Sequence, residues 1–197
     1  MRAKRASKDA RPGPSPFEGR ASRDHLRVTG LTVSAAQQSP TIHASAVLVG
    51  ARAVLIRGPS GSGKSKLALD LLQAAQAGLL PFARLVADDR AHVEATNGRL
   101  LVRPAKPLAD LLEVRGLGIR QVEAEPVAVV GLVVDLAAED AARLPQPEAT
   151  ETVIEGIRLP RLPVTAGQAA LPLVLILLQT VPGADSGLTH PPAVGKK

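Results

Sequence analysis

The amino-acid sequence predicts an α/β domain with a mixed β-sheet, organised around one glycine-rich loop. Residues 53–57 are rich in apolar and β-branched side chains, which is typical of a buried parallel strand. Residues 66–75, after the loop, carry leucines at helical spacing among good helix formers. Residues 42–49 form a second strand-like run, which a short turn joins to residues 53–57 as in a β-hairpin. A hairpin that includes a parallel strand makes the predicted sheet mixed.

The loop between the strand and the helix fits the pattern G-x-x-x-x-G-K-[ST], which cradles nucleotide phosphates. Its glycines can bring backbone N–H groups close to phosphate oxygens, and the N-terminus of the following helix favours anions. Lys64 is predicted to reach the β- and γ-phosphates, and the Ser65 hydroxyl to bind Mg²⁺. The predicted phosphate-binding residues are Gly58, Pro59, Ser60, Gly61, Ser62, Gly63, Lys64 and Ser65.

The composition excludes several classes of protein. The chain has 197 residues with two Phe, no Tyr and no Trp, so it lacks a platform for aromatic stacking on nucleic-acid bases, which argues against nucleic-acid binding. It has no cysteine, which excludes disulfides, thiolate metal sites and a cysteine nucleophile. No segment reaches the roughly 18 apolar residues of a membrane span. These features favour a cytoplasmic protein that does not cross a membrane.

The positive charge is concentrated at the amino terminus. Five of the six net positive charges lie in residues 1–30, and proline recurs in this segment. A basic segment rich in Pro, Gly and Ser is typical of a disordered, solvated tail. We therefore predict a disordered tail at residues 1–27, one folded domain at 28–181 and a loose tail at 182–197.

Other strands are predicted from apolar runs and turn residues. Asn97-Gly98, between two apolar runs, is the strongest short hairpin signal. The remaining predicted strands are residues 26–33, 84–87, 127–136 and 152–159.

The helices beyond residues 66–75 are predicted to be short or buried. We expect a short helix at 108–112, followed by a glycine-hinged loop at 113–119. Residues 137–144 are expected to form a short helix or a turn, and residues 169–180 a buried helix.

Two places along the chain offer a carboxylate for phosphoryl transfer. Asp88 and Asp89 follow the strand at 84–87, at the edge where open α/β sheets bind their ligands. Asp135 ends a hydrophobic run and has the form expected of a metal-binding acid in this type of site. The residue pattern alone leaves both alternatives open.

Four segments, in this order and spacing, together resemble the catalytic domain of HPr kinase/phosphorylase. They are His43-Ala44-Ser45, the glycine-rich loop, Leu85-Val86-Ala87-Asp88-Asp89-Arg90 and Glu113-Val114-Arg115-Gly116-Leu117-Gly118-Ile119. The resemblance covers about residues 42–178, and its last segment is the most specific. It implies a P-loop fold of the HPr kinase and phosphoenolpyruvate carboxykinase type.

The resemblance also implies an activity and a set of roles. The activity is that of a bacterial serine kinase that uses ATP and Mg²⁺ to phosphorylate HPr, the phosphocarrier of the sugar phosphotransferase system. Asp88 would be the general base and His43 its catalytic partner, while Lys64 would hold the phosphates. Ser65, Glu113 and Asp89 would place Mg²⁺, and Arg143 would steady the transferred phosphoryl group. A homo-oligomer, a hexamer in the family, is expected.

Without the resemblance, several of these residues have ordinary interpretations. A lone histidine such as His43 is more often a hydrogen-bonded residue than a catalytic one, and Arg143 could be a solvated charge. Glu113 and Arg115 could form a local ion pair of little energetic value.

The sequence also departs from the family pattern. The family's usual amino-terminal domain is replaced by the basic tail, and at residues 164–169 only the glycine of a loop tied to phosphorylase activity is retained. We therefore predict that the reverse, phosphorylase reaction is weak or absent. The alternative functions are a P-loop kinase acting on another protein or a small molecule, and a non-catalytic module that senses ATP.

Overall fold

The computed structural model of the protein describes residues 41–105 and 109–180. The strand predicted at 26–33 and the tails predicted at 1–27 and 182–197 lie outside these residues. Within the described residues there are eleven strands, two α-helices and one 3-10 helix, at residues Pro147–Thr150. The strands are β1 (Thr41–Ile42), β2 (Ala44–Val49), β3 (Arg52–Arg57), β4 (Ala83–Ala87), β5 (Ala91–Thr96), β6 (Arg99–Pro104), β7 (Leu111–Val114), β8 (Gly118–Gln121), β9 (Ala128–Leu136), β10 (Glu151–Ile154) and β11 (Ile157–Val164). The helices are α1 (Lys64–Gln76) and α2 (Ala170–Gln179).

The main sheet has nine strands in a mixed arrangement, as predicted. Its central path runs β1-β5-β6-β9-β3-β2-β4, and the β10–β11 hairpin joins it where β11 pairs with β9. The amino-terminal end of β9 pairs with β6, and its carboxyl-terminal half pairs with β11 and β3. The strands β7 and β8 form a separate two-stranded sheet.

Strands β3, β4, β9 and β11 of the main sheet run in the same direction. Strand β3 is parallel to β9, and β9 is parallel to β11. Strand β2 is antiparallel to both β3 and β4, so β4 also points the same way as β3. The carboxyl ends of β4, β3, β9 and β11 therefore all lie at one edge of the sheet, where parallel sheets place their functional loops.

The central strands are buried on both faces. Along β3, Val54 and Ile56 pack in one cluster with α1 and α2, while Ala53 and Leu55 pack in a second cluster with residues of β5 and β6. This alternation follows the two-residue period of a strand. Because aliphatic side chains fill both faces, the strand that leads into the glycine-rich loop is held rigidly.

The predicted hairpins at residues 42–57 and around Asn97-Gly98 are confirmed by the pairing of β2 with β3 and of β5 with β6. The strands predicted at 84–87 and 127–136 are present as β4 and β9.

The helix predicted at 108–112 is wrong, since Leu111–Val114 form strand β7. Asp110 has φ 63°, which stops a right-handed helix, and Leu112 is fully buried in the core. The segment 113–119 is not one loop either, because β7 and β8 pair as a hairpin across a turn at 115–117. Packing of Leu112 against residues distant in the sequence determines this pairing, so the neighbouring residues alone do not predict it.

Two further predictions need correction. The single strand at 152–159 is a hairpin, β10 and β11, because Glu155 and Gly156 turn the chain with positive φ. For residues 137–144 the structure shows turns, the second of the two predicted alternatives. Helix α2 is only partly buried: Ala170 and Val174 face the core, whereas its carboxyl-terminal leucines and Ile176 are exposed. None of the described helices is long and apolar enough to cross a membrane.

Candidate active site

The glycine-rich loop connects the end of β3 to the start of α1. Gly58 has φ 148°, and a Cβ there would lie 2.8 Å from the Leu136 carbonyl oxygen, so only glycine fits against β9. Gly61 and Gly63 have φ 77° and 97°, with nothing within 4 Å of a Cβ built on either. Gly63 caps α1 and provides no side-chain acceptor for the first-turn N–H groups. These features leave a helix N-terminus open to an anion.

The Lys64 side chain is buried beneath the loop, with 6% of its surface exposed. Its Nζ donates hydrogen bonds to the carbonyl oxygens of Gly58, at 3.1 Å, and of Pro59, at 3.0 Å. Burial lowers the pKa of Lys64, and the nearby Asp89 and Asp88 carboxylates partly oppose that change. A buried ammonium group whose hydrogen-bond acceptors, among the described residues, are two carbonyl oxygens fits a site that receives phosphate.

Asp88 lies at the centre of a buried hydrogen-bond network. Its side chain is 4% exposed, and its Oδ1 accepts hydrogen bonds from Ser45 Oγ at 2.5 Å and from Ser65 Oγ at 2.9 Å. Its Oδ2 accepts the backbone N–H of Glu113 at 3.2 Å. One carboxylate thus joins strand β2, the last residue of the loop and the β7–β8 hairpin.

Asp89 and His43 form the exposed part of the same site. His43 Nε2 lies 3.2 Å from Asp89 Oδ1, and both side chains are about half exposed. Asp89 has φ 63°, a left-handed conformation that turns the chain just after Asp88. The two carboxylates therefore diverge, one into the protein and one towards solvent.

A cavity of about 670 Å³ collects most of the predicted site residues. His43, Lys64, Ser65, Asp89 and Glu113 all line it, together with loop glycines and Arg115. We call it the catalytic cavity.

Arg143 is not among the residues that line this cavity. It is exposed on the segment after β9 and makes no hydrogen bond or ion pair with any residue that the structure describes.

The Asp135 carboxylate accepts hydrogen bonds from two arginines. Arg57 donates to both of its oxygens at 2.7 Å, and Arg161 Nε donates to Oδ2 at 2.5 Å. Burial by itself would raise the pKa of Asp135, but the two arginines outweigh burial and hold it below its usual range. Of the two alternatives left open by the sequence, only Asp88 contacts the loop serine.

Sequence reasoning assigned no role to Ser45, Arg57 or Arg161. Ser45 is fully buried and donates to Asp88. It belongs to the His43-Ala44-Ser45 segment of the resemblance, and its position two residues after His43 places both on one face of an extended segment. Arg57 and Arg161 lie on strands that are far apart in the sequence, so nothing local could have paired them.

The donor set fits Mg²⁺ bound together with nucleotide phosphates. Among the described residues, no group of three or more His, Asp or Glu side chains converges as a metal site. Mg²⁺ in phosphoryl-transfer sites is usually held by one or two carboxylates, a hydroxyl and the substrate phosphates. Ser65, Asp89 and Glu113, which all line the catalytic cavity, supply that kind of ligand.

A second cavity, of about 550 Å³, lies on the other side of the loop. It is lined by Gly61, Ser62 and Gly63, by α1, by the residues after β9 and by the β11–α2 connection. We call it the β11–α2 cavity.

Comparisons with known proteins agree with the fold. The sequence profile of the HPr Serine kinase C-terminal domain family matches residues 34–176. The chain is 44% identical over 80 residues to the HPr kinase/phosphorylases of two Streptococcus thermophilus strains, LMD-9 and CNRZ 1066. Those 80 residues are 40% of this chain and 24% of each relative, so the match spans about a quarter of their length.

A solved structure has the same fold. The structure of the Hpr(Ser) kinase/phosphatase from Coxiella burnetii superimposes with a TM-score of 0.58 and 22% sequence identity. The superposition covers 72% of this chain and 95% of that one.

Proposed function

Because the chain belongs to the HPr Serine kinase C-terminal domain family, we propose that it is an ATP-dependent protein serine kinase that phosphorylates HPr, the phosphocarrier of the sugar phosphotransferase system. One observation carries the proposal beyond family membership: Ser65 of the glycine-rich loop donates a hydrogen bond to Asp88. A phosphate-binding loop and a buried carboxylate therefore meet at one place, as phosphoryl transfer requires.

The loop binds the ATP phosphates through its backbone N–H groups and Lys64. The ammonium group of Lys64 exchanges its two loop carbonyl partners for phosphate oxygens, which are stronger acceptors. Ser65, Asp89 and Glu113 would hold Mg²⁺, which would supply positive charge to the β- and γ-phosphates.

Asp88 acts as the general base. It takes the proton of the target serine hydroxyl as the serine oxygen bonds to the γ-phosphorus, while the bond to the bridging oxygen breaks and ADP leaves. The two hydroxyl groups that donate to Oδ1 support an acceptor role for this carboxylate. His43, paired with Asp89, is placed to assist at the mouth of the cavity.

Arg143 would reach the transferred phosphoryl group only in the complex with substrate. Its exposed position and free guanidinium support a role that begins when HPr and nucleotide are bound.

The proposal extends to assembly, location and reversal. Exposed apolar side chains at the end of α2, Ile176, Leu177 and Leu178, support a homo-oligomer, a hexamer by family resemblance.

We place the kinase in the cytoplasm, where HPr acts. The connection at 165–169 carries no basic side chain, which supports weak or absent phosphorylase activity.

The test is a phosphorylation assay with the full chain, Mg-ATP and HPr from the same genome. Mass spectrometry should show one added phosphate on a serine of HPr, and none with Lys64→Ala. If the wild-type protein binds ATP but HPr gains no phosphate, the HPr assignment is wrong and another protein or a small molecule is the acceptor.

A second assay tests reversal. Phosphoserine-HPr is incubated with inorganic phosphate and the protein, and rapid phosphate-dependent dephosphorylation would contradict the weak reverse activity.

A further inference from the structure

Ser45 is a buried hydroxyl in an otherwise apolar strand. Strand β2 reads Ala-Ser-Ala-Val-Leu-Val, and Ser45 is its one polar residue. Its side chain is fully buried. Among the described residues, the other polar or charged residues that are buried are Lys64 and Asp88, and both belong to the proposed active site. Because a buried hydroxyl is costly unless it has a hydrogen-bond partner, the partner of Ser45 indicates why it is there.

That partner is the Asp88 carboxylate. Ser45 Oγ donates to Asp88 Oδ1 at 2.5 Å, a short distance that is typical of a hydroxyl donating to a carboxylate. The contact follows from the pairing of β2 with β4, in which Ala46 lies opposite Ala87, the residue before Asp88. Strand β2 lies between β3 and β4 in the main sheet. The hydrogen bond therefore fastens the carboxylate to an interior strand and not to a loop.

Ser45 differs from the two other donors to Asp88. Ser65 Oγ donates to Oδ1 at 2.9 Å, and the backbone N–H of Glu113 donates to Oδ2 at 3.2 Å. Ser65 and Glu113 line the catalytic cavity and are also the proposed ligands of Mg²⁺. Ser45 is not among the residues that line this cavity, and its one side-chain hydrogen bond within the described residues is to Asp88. Its hydroxyl thus acts on the carboxylate and has no contact with substrate to make.

The three donors also determine how a substrate hydroxyl can approach Asp88. A carboxylate has about four acceptor positions, and Ser45, Ser65 and the Glu113 N–H occupy three of them. A general base has to present a free position to the hydroxyl whose proton it accepts. A displacement of a reacting group by about 1 Å can lower the rate roughly 100-fold, so the orientation of this carboxylate matters to the reaction.

We propose that Ser45 is a positioning residue for phosphoryl transfer, whose hydroxyl holds the Asp88 carboxylate in the orientation that accepts the proton of the target hydroxyl. The proposal rests on the proposed role of Asp88 as general base, but not on the identity of the phosphoryl acceptor. Because Ser45 lies outside the catalytic cavity, its removal changes the rate of transfer and leaves ATP binding intact.

The kinetic test uses the full chain with Mg-ATP and HPr. Ser45→Ala removes the hydroxyl and adds no volume, and kcat should fall about 10- to 100-fold while KM for ATP stays within about twofold of wild type. Ser45→Thr, which keeps a hydroxyl, should restore kcat to within about threefold of wild type. If Ser45→Ala fails to fold, Ser45→Cys takes its place, because it is similar in size and its thiol is a weak donor that should also lower kcat.

Val49→Ala is the matched control. Val49 is buried on the same face of β2, and four residues of strand place it about 13 Å from Ser45. The substitution removes more packing than Ser45→Ala, but it should leave kcat within about twofold of wild type. An equal fall of kcat in both variants would indicate a general effect of strand packing and would overturn the proposal. Unchanged kcat in Ser45→Ala would overturn it as well.

A double-mutant cycle tests whether the effect passes through Asp88. In Asp88→Asn the base is already lost, so adding Ser45→Ala should change the residual kcat by less than about twofold. If Ser45→Ala instead lowers kcat by the same factor in Asp88→Asn as in wild type, Ser45 acts elsewhere and the proposal is wrong.

A structural measurement separates this inference from the proposed kinase activity. In crystal structures of the full chain without ligands, the Asp88 side chain should occupy one rotamer in the wild type and in Val49→Ala. In Ser45→Ala it should turn or divide between rotamers. An unmoved carboxylate in Ser45→Ala would overturn the proposal even where kcat falls. This comparison needs neither HPr nor nucleotide, so it decides the proposal if HPr gains no phosphate.

Discussion

The Ser65 hydroxyl donates a hydrogen bond to Asp88 Oδ1 across 2.9 Å, although 23 residues separate the two in the chain. Ser65 ends the glycine-rich loop after β3, and Asp88 follows β4, two strands away in the sheet. The contact exists because β3 and β4 point the same way and end at one edge. It brings a phosphate-binding loop and a carboxylate into one site, and the first prediction tests that site.

Asp88→Asn should abolish most of the phosphoryl transfer. Loss of a general base lowers rates by typically 10²–10⁴-fold, so we expect kcat for HPr phosphorylation to fall by roughly that factor. ATP affinity should remain close to that of wild type, because Lys64 and the loop are intact. Asp110→Asn, at an exposed turn, is the matched control and should change neither quantity. Full function in Asp88→Asn, with loss of function in Lys64→Ala, would instead support a non-catalytic ATP sensor.

Lys64 should make the stability of the nucleotide-free protein depend on pH in the alkaline range. Burial lowers the pKa of Lys64 in the folded state, so between that lowered value and the ordinary 10.5 the unfolded chain binds more protons. The free energy of unfolding contributed by this group therefore rises with pH across that window. Lys64→Met should remove this rise, as measured by urea unfolding at a series of pH values. Lys66→Met, on the exposed face of α1, should retain it, and the same pH dependence in all three proteins would contradict the explanation.

Asp135→Asn should affect stability more than catalysis. Among the described residues, the substitution leaves Arg57 without a carboxylate partner and Arg161 with only Asp140, and breaking such a partly buried pair typically costs about 3 kcal/mol of unfolding free energy. Because the arginines hold the pKa of Asp135 low, its contribution is present above about pH 4 and lost as pH falls through the folded value. Urea unfolding at pH 7 and pH 3 should show a smaller pH effect in the variant. If Asp135→Asn lowered kcat as much as Asp88→Asn does, Asp135 would instead be the carboxylate that binds the metal ion.

The exposed end of α2 should control assembly. Ile176 and Val153 are equally exposed apolar side chains, each at 62%, on α2 and β10 respectively. If α2 lies in a subunit interface, Ile176→Glu should lower the mass measured by sedimentation, because a charge is costly in an apolar contact. Val153→Glu should leave the mass unchanged. The reverse pattern would place the interface on β10, and a monomeric wild type would contradict the oligomer.

If residues 1–27 form the solvated tail that the sequence predicts, their deletion should leave kcat and ATP affinity within about twofold of wild type. Steady-state kinetics with HPr checks this expectation. A large loss of activity on deletion would contradict this expectation and point to a binding role for the basic segment.

Local signals explain what could be predicted in advance. The strand, loop and helix at 53–75 are neighbours in sequence, and Asn97-Gly98 favours a tight turn by itself. Each of these structures can therefore be predicted from a short stretch of sequence. The strand that ends at Asp88 is recognisable for the same reason. At 108–112, by contrast, the apolar residues suited a helix as well as a strand, and only the burial of Leu112 against α1 and the pairing of β7 with β8 distinguish the two.

The sequence by itself determined that this protein has a phosphate-binding loop with a lysine and a serine, two candidate carboxylate sites and an aliphatic core. Only the tertiary structure decided that Asp88 contacts Ser65 while Asp135 is held by Arg57 and Arg161. The physical reason is that both aspartates end apolar strands at the same edge of the sheet, so the local pattern is the same for each. Which one meets the loop depends on strand order and on charged partners that are distant in the chain.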